Sequence, residues 1–324
     1  MSSTTAPIKI PTELLQILRC PICSSPLRPD RDRLVCEGER CKTVFPVADG
    51  VPIVLNEQRS LFSAEELCRA SKPSRKGSSS PRSFLRELIP GISRNVSGSK
   101  NYSRFVELLL ARSKSPRVLV VGGKSVGEGF ERVLSHVPPI EIVETDVVFG
   151  PRTMLICDGH DLPFQDEVFD GVVIQAVLEH VVDPHRCVAE IYRVLQLDGI
   201  VYAETPFIQQ VHEGRFDFTR FTHLGHRRLF RHFEEIESGA ACGTGMALAW
   251  SYRYFLLSLS DGNLLRNLLD TFARFTSFYL KFLDSLTLKN AGSFDAASAY
   301  YFLGKKSNVV LSDRELIRLY RGRI

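Results

Sequence analysis

Four cysteines near the start of the chain are spaced as metal ligands. Cys20 and Cys23 form a C-x2-C pair, and after a twelve-residue spacer Cys36 and Cys41 form a C-x4-C pair. Two such pairs on opposed turns supply four thiolates to Zn²⁺ with little chain strain, and a domain of about 45 residues buries too little surface to be stable alone. A redox C-x-x-C motif is the alternative, but no thioredoxin-like pattern surrounds it. The spacing predicts a structural zinc site.

A glycine-rich turn lies in the middle of the chain. Gly122, Gly123, Gly127 and Gly129 come directly after the apolar run RVLVV. A phosphate-binding loop is excluded because it needs a glycine five residues before Gly123, where the chain has Val118. The dinucleotide pattern G-x-G-x-x-G fits in no register. In the third interpretation the turn resembles the first strand-to-helix turn of S-adenosylmethionine (SAM) methyltransferases, whose glycines let the backbone pass close to the cofactor.

Asp146 stands where the ribose of such a cofactor is expected. It ends the apolar run IEIVETD, 24 residues after Gly122. A carboxylate at the end of the second strand can accept two hydrogen bonds from ribose hydroxyls. A solvent-facing aspartate at a strand end is the alternative.

The segment after Asp146 carries a set of motifs in a fixed order. They are Asp158 with Leu162-Pro163-Phe164, then Phe169-Asp170, Leu178-Glu179-His180, and Glu190 with Arg193-Val194-Leu195. As a set they resemble the class I SAM-dependent methyltransferase domain of the small-molecule type, over about residues 115–207. Upstream, LRCPICSSPL and LVCEGERCKTVFPVADGVPIVL resemble the small zinc-ribbon proteins that activate tRNA and protein methyltransferases. They are also similar to the N-terminal zinc domain of bacterial rRNA guanine methyltransferases, over about residues 12–55.

The methyltransferase resemblance implies a role for each cofactor-site residue. The turn faces the amino-acid end of SAM, the strand-end aspartate binds the ribose, the next acidic segment lies at the adenine, and the end of the fourth strand approaches the methionine moiety. In that order these residues are Gly122 and Gly123, then Asp146, then Asp158, Gly159 and His160, then Gln175 and Ala176. The turn departs from the family pattern, an acid, a spacer and G-x-G-x-G, at Val120, Lys124 and Val126.

The segment after the fifth strand combines ionisable and aromatic residues. Loops at the carboxyl ends of parallel strands form the ligand crevice of open sheets, so this segment is the candidate substrate site. It resembles a bacterial methyltransferase subgroup with an H-x4-D-x2-R-x-T stretch, here His212, Asp217, Arg220 and Thr222. An ordered lid with a structural Arg–Asp pair is the alternative. The substrate candidates are Asp217, Arg220 and His223, and the candidate general bases are His180, His212 and Glu213.

The elements that position these residues follow from hydrophobic patterning. Short apolar runs at 117–121, 140–146, 171–175 and 199–206 alternate with helical patterns. This alternation predicts an α/β fold, a Rossmann-like parallel sheet with a mixed edge and helices on both faces, plus the small zinc ribbon. The predicted domains are a zinc ribbon at 12–56, a partly flexible linker at 57–100 and a methyltransferase-like domain at 101–245. A C-terminal helical extension at 246–324 is predicted to complete the last of these.

An apolar stripe at helical spacing marks 268–286. It predicts an amphipathic helix packed on the domain or on a partner subunit, and peripheral membrane contact is the alternative.

Composition bounds the class of protein. The 324 residues are 44% hydrophobic and 24% charged with a net charge of +4, which excludes disorder of the whole chain and does not by itself indicate nucleic-acid binding. No apolar run reaches the roughly 20 residues of a membrane span, and there is no secretory signal pattern. Clustered cysteines favour a reducing compartment, so we expect a cytoplasmic protein. The other four cysteines, Cys68, Cys157, Cys187 and Cys242, have no ligand spacing.

Three functional hypotheses follow. The first is a SAM-dependent methyltransferase acting on an oxygen or nitrogen of a small-molecule or saccharide-like acceptor. The second is an RNA methyltransferase that uses the zinc ribbon for substrate binding, by analogy with the zinc-domain rRNA enzymes. In that case the basic residues Lys72, Arg75, Lys76 and Arg82 would contact phosphates. The third is a non-catalytic, partner-binding protein with a degenerate SAM fold, motivated by Val120 and Lys124. The sequence leaves the oligomeric state open.

Overall fold

The computed structural model describes residues 8–70, 89–123, 127, 129–135 and 139–323. Within them a four-stranded sheet comes first, followed by a seven-stranded sheet flanked by helices. The strands are β1 (Leu27–Asp30), β2 (Arg33–Cys36), β3 (Val44–Ala48), β4 (Val51–Pro52), β5 (Arg117–Val121), β6 (Glu141–Asp146), β7 (Leu155–Ile156), β8 (Phe169–Gln175), β9 (Leu195–Pro206), β10 (Phe233–Cys242) and β11 (Ala299–Lys306). The helices are α1 (Thr12–Ile17), α2 (Ala64–Ala70), α3 (Gly98–Arg112), α4 (Glu131–Leu134), α5 (Pro184–Val194), α6 (His223–Leu229), α7 (Thr244–Leu257), α8 (Asn263–Ser277), α9 (Leu280–Thr287), α10 (Ser293–Ala296) and α11 (Asp313–Arg318).

The large sheet confirms the predicted fold class. Its strand order is β10-β11-β9-β8-β5-β6-β7, and the neighbours from β9 to β7 are parallel. β11 runs antiparallel to both β9 and β10, which is the mixed edge. Helix α3 covers one face with Tyr102, Phe105 and Leu109, and α5 covers the other with Val188 and Ile191. The carboxyl ends of β5, β6, β8 and β9 therefore meet at one edge of the sheet.

The zinc ribbon is built onto this sheet. Its β1 to β4 form an antiparallel meander. Ile53, just after β4, pairs in parallel with Ile156 of the edge strand β7, and Leu18 pairs with Phe164. Leu14, Leu18, Leu27, Leu34 and Phe45 belong to the same buried cluster as Leu162, Phe164, Phe169 and Val172. The two predicted domains thus share one hydrophobic core.

The predicted linker is partly folded. Residues 57–70 are described and contain α2, whose Leu67 packs with Ile53, Leu55 and Ile156. α3 begins at Gly98, within the predicted linker. The Ser-rich basic stretch 71–82, with Lys72, Arg75, Lys76 and Arg82, lies outside the described residues.

The C-terminal region differs from its prediction in two respects. It is not wholly helical, because Ala299–Lys306 forms β11, buried on both faces between β9 and β10. The expected amphipathic helix is two helices, α8 and α9, separated at Phe278 and Tyr279. Its apolar stripe is exposed and does not pack on the domain, while packing on a partner subunit stays a prediction. In the described part of the chain no helix is long and apolar enough to span a membrane.

Candidate functional site

The four predicted cysteine ligands converge in the ribbon. Their Sγ atoms all lie within 4.8 Å of one another, with Cys23 and Cys36 3.3 Å apart and Cys20 and Cys41 3.8 Å apart. Bonds of about 2.3 Å in a tetrahedron place sulfur atoms roughly 3.8 Å apart. The backbone N–H of Gly38 donates to the Cys36 sulfur, and a Cβ at Gly38 would lie 3.0 Å from the Cys23 sulfur. Sulfur donors alone in this arrangement fit a structural Zn²⁺.

The glycine turn and Asp146 lie side by side at the carboxyl edge. Parallel pairing of Val121 with Thr145 aligns the ends of β5 and β6, and the Gly122 N–H donates to the Thr145 carbonyl at 2.9 Å. Gly122 has a φ of +79°, and a Cβ there would overlap a methyl group of Val177. The half-buried Asp146 carboxylate accepts from the Val148 N–H at 3.0 Å. A glycine turn beside such a carboxylate fits the ribose end of SAM.

The adenine-side candidates have internal partners. Asp158 is buried and accepts from the His160 backbone N–H at 3.0 Å, from His160 Nδ1 at 2.6 Å and from the Ser60 hydroxyl at 2.6 Å. Burial opposes its ionisation, but these donors hold the pKa of Asp158 below its usual range. His160 Nε2 accepts from the Asp183 N–H, so the ring carries its proton on Nδ1. Ser60 comes from the predicted linker, which therefore forms part of this wall.

Gln175 fixes the far side of the turn. Its side-chain carbonyl accepts from the Tyr102 hydroxyl at 2.7 Å and from the Gly127 N–H at 2.8 Å. Its amide donates to the buried carboxylate of Glu204 at 2.6 Å. Burial raises the pKa of Glu204, although hydrogen bonds from Tyr202, Asn95 and Gln175 oppose the rise. Ala176 follows with a φ of +53°, which turns the chain away from the strand.

Two of the departures from the family turn, Lys124 and Val126, lie outside the described residues. The third, Val120, is buried in the core on the face of α3.

The loop after β9 is held by the predicted Arg–Asp pair. Arg220 Nη2 contacts Asp217 Oδ2 at 2.7 Å, Nη1 contacts Oδ1, and the guanidinium also donates to the carbonyls of Gln209, Gln210 and Thr219. Asp217 accepts the His212 N–H at 3.0 Å. Burial opposes ionisation, but Arg220 and His212 hold the pKa of Asp217 below its usual range. The geometry supports the ordered-lid alternative, and the substrate role of Asp217 and Arg220 stays a prediction.

An open cavity of about 460 Å³ follows this loop. It is lined by Gln209, Gln210, Val211, Asp217, Phe218, Thr219, Arg220 and Tyr254. Glu213 is exposed on the same loop, whereas His223 is not part of the cavity lining. His223 is buried against Phe294 and Tyr300, its Nε2 lies 3.2 Å from the Ser238 hydroxyl, and burial lowers its pKa to about 4.

A cluster that we did not predict forms where the loop meets the end of β8. Glu179 lies between His180 and His212, and its side chain is fully buried. Burial raises the pKa of Glu179 to about 8 and lowers the pKa of His180. The motif Leu178-Glu179-His180 marked this segment, but no sequence signal paired Glu179 with a histidine 33 residues further along.

Two family models match the chain. The one described as Trm112p-like protein matches residues 12–50, and the one described as methyltransferase domain matches residues 139–203. A UPF0434 protein of Azoarcus sp. (strain BH72) is 41% identical over 56 residues, 17% of this chain and 87% of the relative. A UPF0434 protein of Nitrosospira multiformis is 45% identical over 60 residues, 18% of this chain and 95% of the relative.

Two solved structures are also similar. One is the Haloferax volcanii complex of the Trm112 methyltransferase activator with a proposed methyltransferase, at 16% identity over 67% of this chain and 100% of the matched chain, with a TM-score of 0.38. The other is Haemonchus contortus phosphoethanolamine N-methyltransferase 2 in complex with S-adenosyl-L-methionine, at 14% identity over 72% of this chain and 61% of that chain, with a TM-score of 0.39.

Proposed function

We propose that this chain transfers the methyl group of SAM to an oxygen or nitrogen of a small or saccharide-like acceptor. The chain belongs to the UPF0434 and Trm112p-like family through its N-terminal domain, and it continues into a methyltransferase domain. The chain has the SAM-binding methyltransferase fold and a four-cysteine zinc ribbon. The observation that carries the proposal is the pairing of the Gly122 turn with Asp146 at the sheet edge where the loop cavity also opens.

The residues divide the work of holding the cofactor. Asp146 would accept from the ribose hydroxyls, the Gly122 turn would allow close backbone approach, and the Asp158 to His160 segment would border the adenine. When bound, SAM supplies an electrophilic methyl carbon, so an acceptor lone pair forms the new bond while the carbon–sulfur bond breaks and its electron pair stays on sulfur. Rate acceleration then comes chiefly from alignment of donor and acceptor, which needs no catalytic triad.

The cavity supports a small acceptor. Its volume of about 460 Å³ lies within the roughly 300–1,000 Å³ typical of small-molecule sites. Its lining offers amide groups from Gln209 and Gln210 and an aromatic ring from Tyr254, a mixture suited to a hydroxylated molecule. The RNA alternative depends on basic residues of 71–82, and nothing in the described part of the chain adds to it.

The zinc ribbon serves as a permanent part of the enzyme. Because its strands and core residues are continuous with those of the methyltransferase domain, zinc binding stabilises the sheet that carries the cofactor site. No disulfide joins any of the eight cysteines, all of which lie among the described residues, and this suits a reducing compartment such as the cytoplasm.

Calorimetric titration of the zinc-loaded protein with SAM tests the proposal. We expect binding that weakens at least about tenfold in Asp146→Ala, since a hydrogen bond to a charged group contributes about 1.5–3 kcal/mol. The control is Asp261→Ala, an exposed aspartate on a distant loop, which should bind normally. Binding followed by methyl transfer in an acceptor screen supports the enzyme. Absence of SAM binding, with binding of a protein partner instead, overturns it in favour of the non-catalytic alternative.

The exposed apolar stripe of α8 and α9 provides a contact for an anionic membrane surface. Leu268, Phe272 and Leu286 are exposed, and Lys281 and Arg94 lie over the Phe282 ring at its border. Apolar and aromatic side chains bordered by cations are typical of helices that lie in the membrane interface.

Sedimentation with vesicles tests this contact. Phosphatidylserine vesicles should pellet the wild type and the control Leu61→Glu, an exposed leucine of the 57–70 segment, but not Leu268→Glu. A concentration-dependent dimer without vesicle binding would overturn the membrane assignment.

A further inference from the structure

Glu179 is a buried carboxyl group with an unusual environment. Its side chain is 1% exposed, and neither oxygen has a hydrogen-bond partner among the residues that the structure describes. Its backbone carbonyl accepts from the N–H groups of Phe218 and Thr219 at 2.8 and 3.2 Å, which fixes its position against the loop. Burial of an unpartnered carboxyl group is costly, so a binding partner for these oxygens would stabilise the site.

Two imidazoles are aimed at this carboxylate. The Nε2 atoms of His180 and His212 lie 3.8 and 4.0 Å from Glu179 Oε1. His180 Nδ1 lies 2.9 Å from the Phe216 carbonyl, and His212 Nδ1 lies 3.2 Å from the Gln210 carbonyl. A carbonyl oxygen only accepts, so each Nδ1 carries the hydrogen and each Nε2 presents its lone pair towards Glu179. Metal-binding histidines are oriented by carbonyl groups in this same way.

We propose that Glu179, His180 and His212 bind one divalent transition-metal ion beside the cofactor cleft. One ligand atom from each residue already lies within 4.8 Å of the other two. Bonds of about 2.1 Å give ligand spacings of roughly 3.0–3.4 Å, so closure requires shifts of about half to one ångström. Two imidazoles and one carboxylate suit Zn²⁺, Mn²⁺, Fe²⁺ or Co²⁺.

The partial exposure of the histidines indicates a catalytic rather than a structural metal site. The side chains of His180 and His212 are 18 and 23% exposed, so the outer face of the cluster opens to solvent. Three protein ligands with an open position are typical of metals that bind a water or a substrate oxygen, whereas structural sites are closed. The Asp217–Arg220 pair would then act in positioning, because Asp217 accepts the His212 backbone N–H.

The site also lies next to the expected cofactor cleft. Val177, two residues before Glu179, contacts the Gly122 turn. If the proposed function holds, an acceptor hydroxyl would bind the ion through its oxygen. The ion lowers the pKa of that hydroxyl, the O–H bond breaks, the proton passes to solvent at the open face, and the electron pair remains on the metal-bound oxygen. The substrate class is therefore an alcohol or phenol.

The test uses Mn²⁺ and the full-length, zinc-loaded protein. Mn²⁺ prefers oxygen and nitrogen donors over thiolates, so it leaves the cysteine site occupied by zinc. Electron paramagnetic resonance titration should show one bound Mn²⁺ per chain. Glu179→Gln and His212→Ala should each weaken binding more than about a hundredfold, beyond the 10- to 100-fold cost of changing residues that only orient the metal ligands.

Matched controls separate ligation from folding. Glu66→Gln and His185→Ala change an exposed carboxylate and an exposed imidazole elsewhere and should bind Mn²⁺ normally. Glu179→Gln keeps the side-chain shape, and its thermal unfolding checks that it folds. Absence of Mn²⁺ binding in the wild type, or equal binding in Glu179→Gln, overturns the metal site. SAM binding is measured separately. Normal SAM binding without Mn²⁺ binding overturns the metal site and leaves the proposed function intact, whereas Mn²⁺ binding without SAM binding overturns the proposed function alone.

Discussion

Replacing Leu18 with alanine should destabilise the methyltransferase domain, although Leu18 belongs to the zinc ribbon. Leu18 is fully buried, pairs with Phe164 and lies in the cluster that both parts of the chain share. Large-to-small changes at such sites cost about 2–5 kcal/mol because of the lost contacts and the residual cavity. With a urea m-value of about 3 kcal/mol/M, the midpoint of unfolding should fall by roughly 0.7–1.7 M.

Two probes test whether the core is shared. Fluorescence of Trp250, the single tryptophan, reports on α7 of the methyltransferase domain, and zinc release to a chromogenic chelator reports on the ribbon. Both transitions should coincide in the wild type and shift together in Leu18→Ala. Leu61→Ala, at a leucine that is 58% exposed, should change stability by no more than about 0.5 kcal/mol. If zinc release shifts while the Trp250 transition stays in place, the ribbon and the domain have separate cores and this reasoning is wrong.

Three further predictions follow from particular side chains. Cys23→Ser should contain one zinc ion per chain fewer than the wild type by atomic absorption and have a lower melting temperature, whereas Cys68→Ser, which lacks ligand spacing, should keep the wild-type zinc content. Burial lowers the pKa of His226 to about 3. Below about pH 6.5 this imidazole is therefore protonated in the unfolded chain and stays neutral in the folded chain. The free energy of unfolding should therefore fall as pH drops from 6.5 towards 3. Urea titrations should show a fall that is shallower by up to about 1.4 kcal/mol per pH unit in His226→Leu than in the wild type. The control His185→Leu, at an exposed histidine, should behave like the wild type. Gly122→Ala should lower both stability and SAM affinity, measured by melting and calorimetry, because its φ is positive and a Cβ would overlap the neighbouring valine; unchanged values would contradict the turn geometry.

The parallel core of the fold was predictable because its signals are local. Each buried strand is a short apolar run, and parallel strands end at one edge, which placed Asp146 and the Gly122 turn together. The zinc ligands were predictable for the same reason, since two short pairs need only one close approach. β11 was missed because it is an antiparallel strand that follows four helices in the chain. Its place between β9 and β10 depends on tertiary pairing, which the run AYYFLGKK does not encode by itself.

The Glu179 cluster was missed because it depends on how a loop folds. His212 is 32 residues beyond His180, and only the docking of the loop through the Phe216 and Phe218 backbone brings the two rings to 4.8 Å. The Asp217–Arg220 pair, in contrast, is separated by three residues, and the structural interpretation of that pair was available from its spacing.

The missing acid of the glycine turn illustrates how a local departure is offset by distant residues. In the family pattern a carboxylate stands at the position of Val120, and here that position is a buried valine. The turn is instead held at Gly127, whose N–H donates to Gln175, and Gln175 donates in turn to the carboxylate of Glu204. Glu204 lies on β9, two strands from β5 in the sheet, and it reaches Gly127 only through Gln175. It therefore does not stand beside the cationic end of SAM as an acid at position 120 would. We therefore expect the departure to reduce affinity for the SAM amino group, so that the proposed ribose contact of Asp146 becomes the main determinant of cofactor binding.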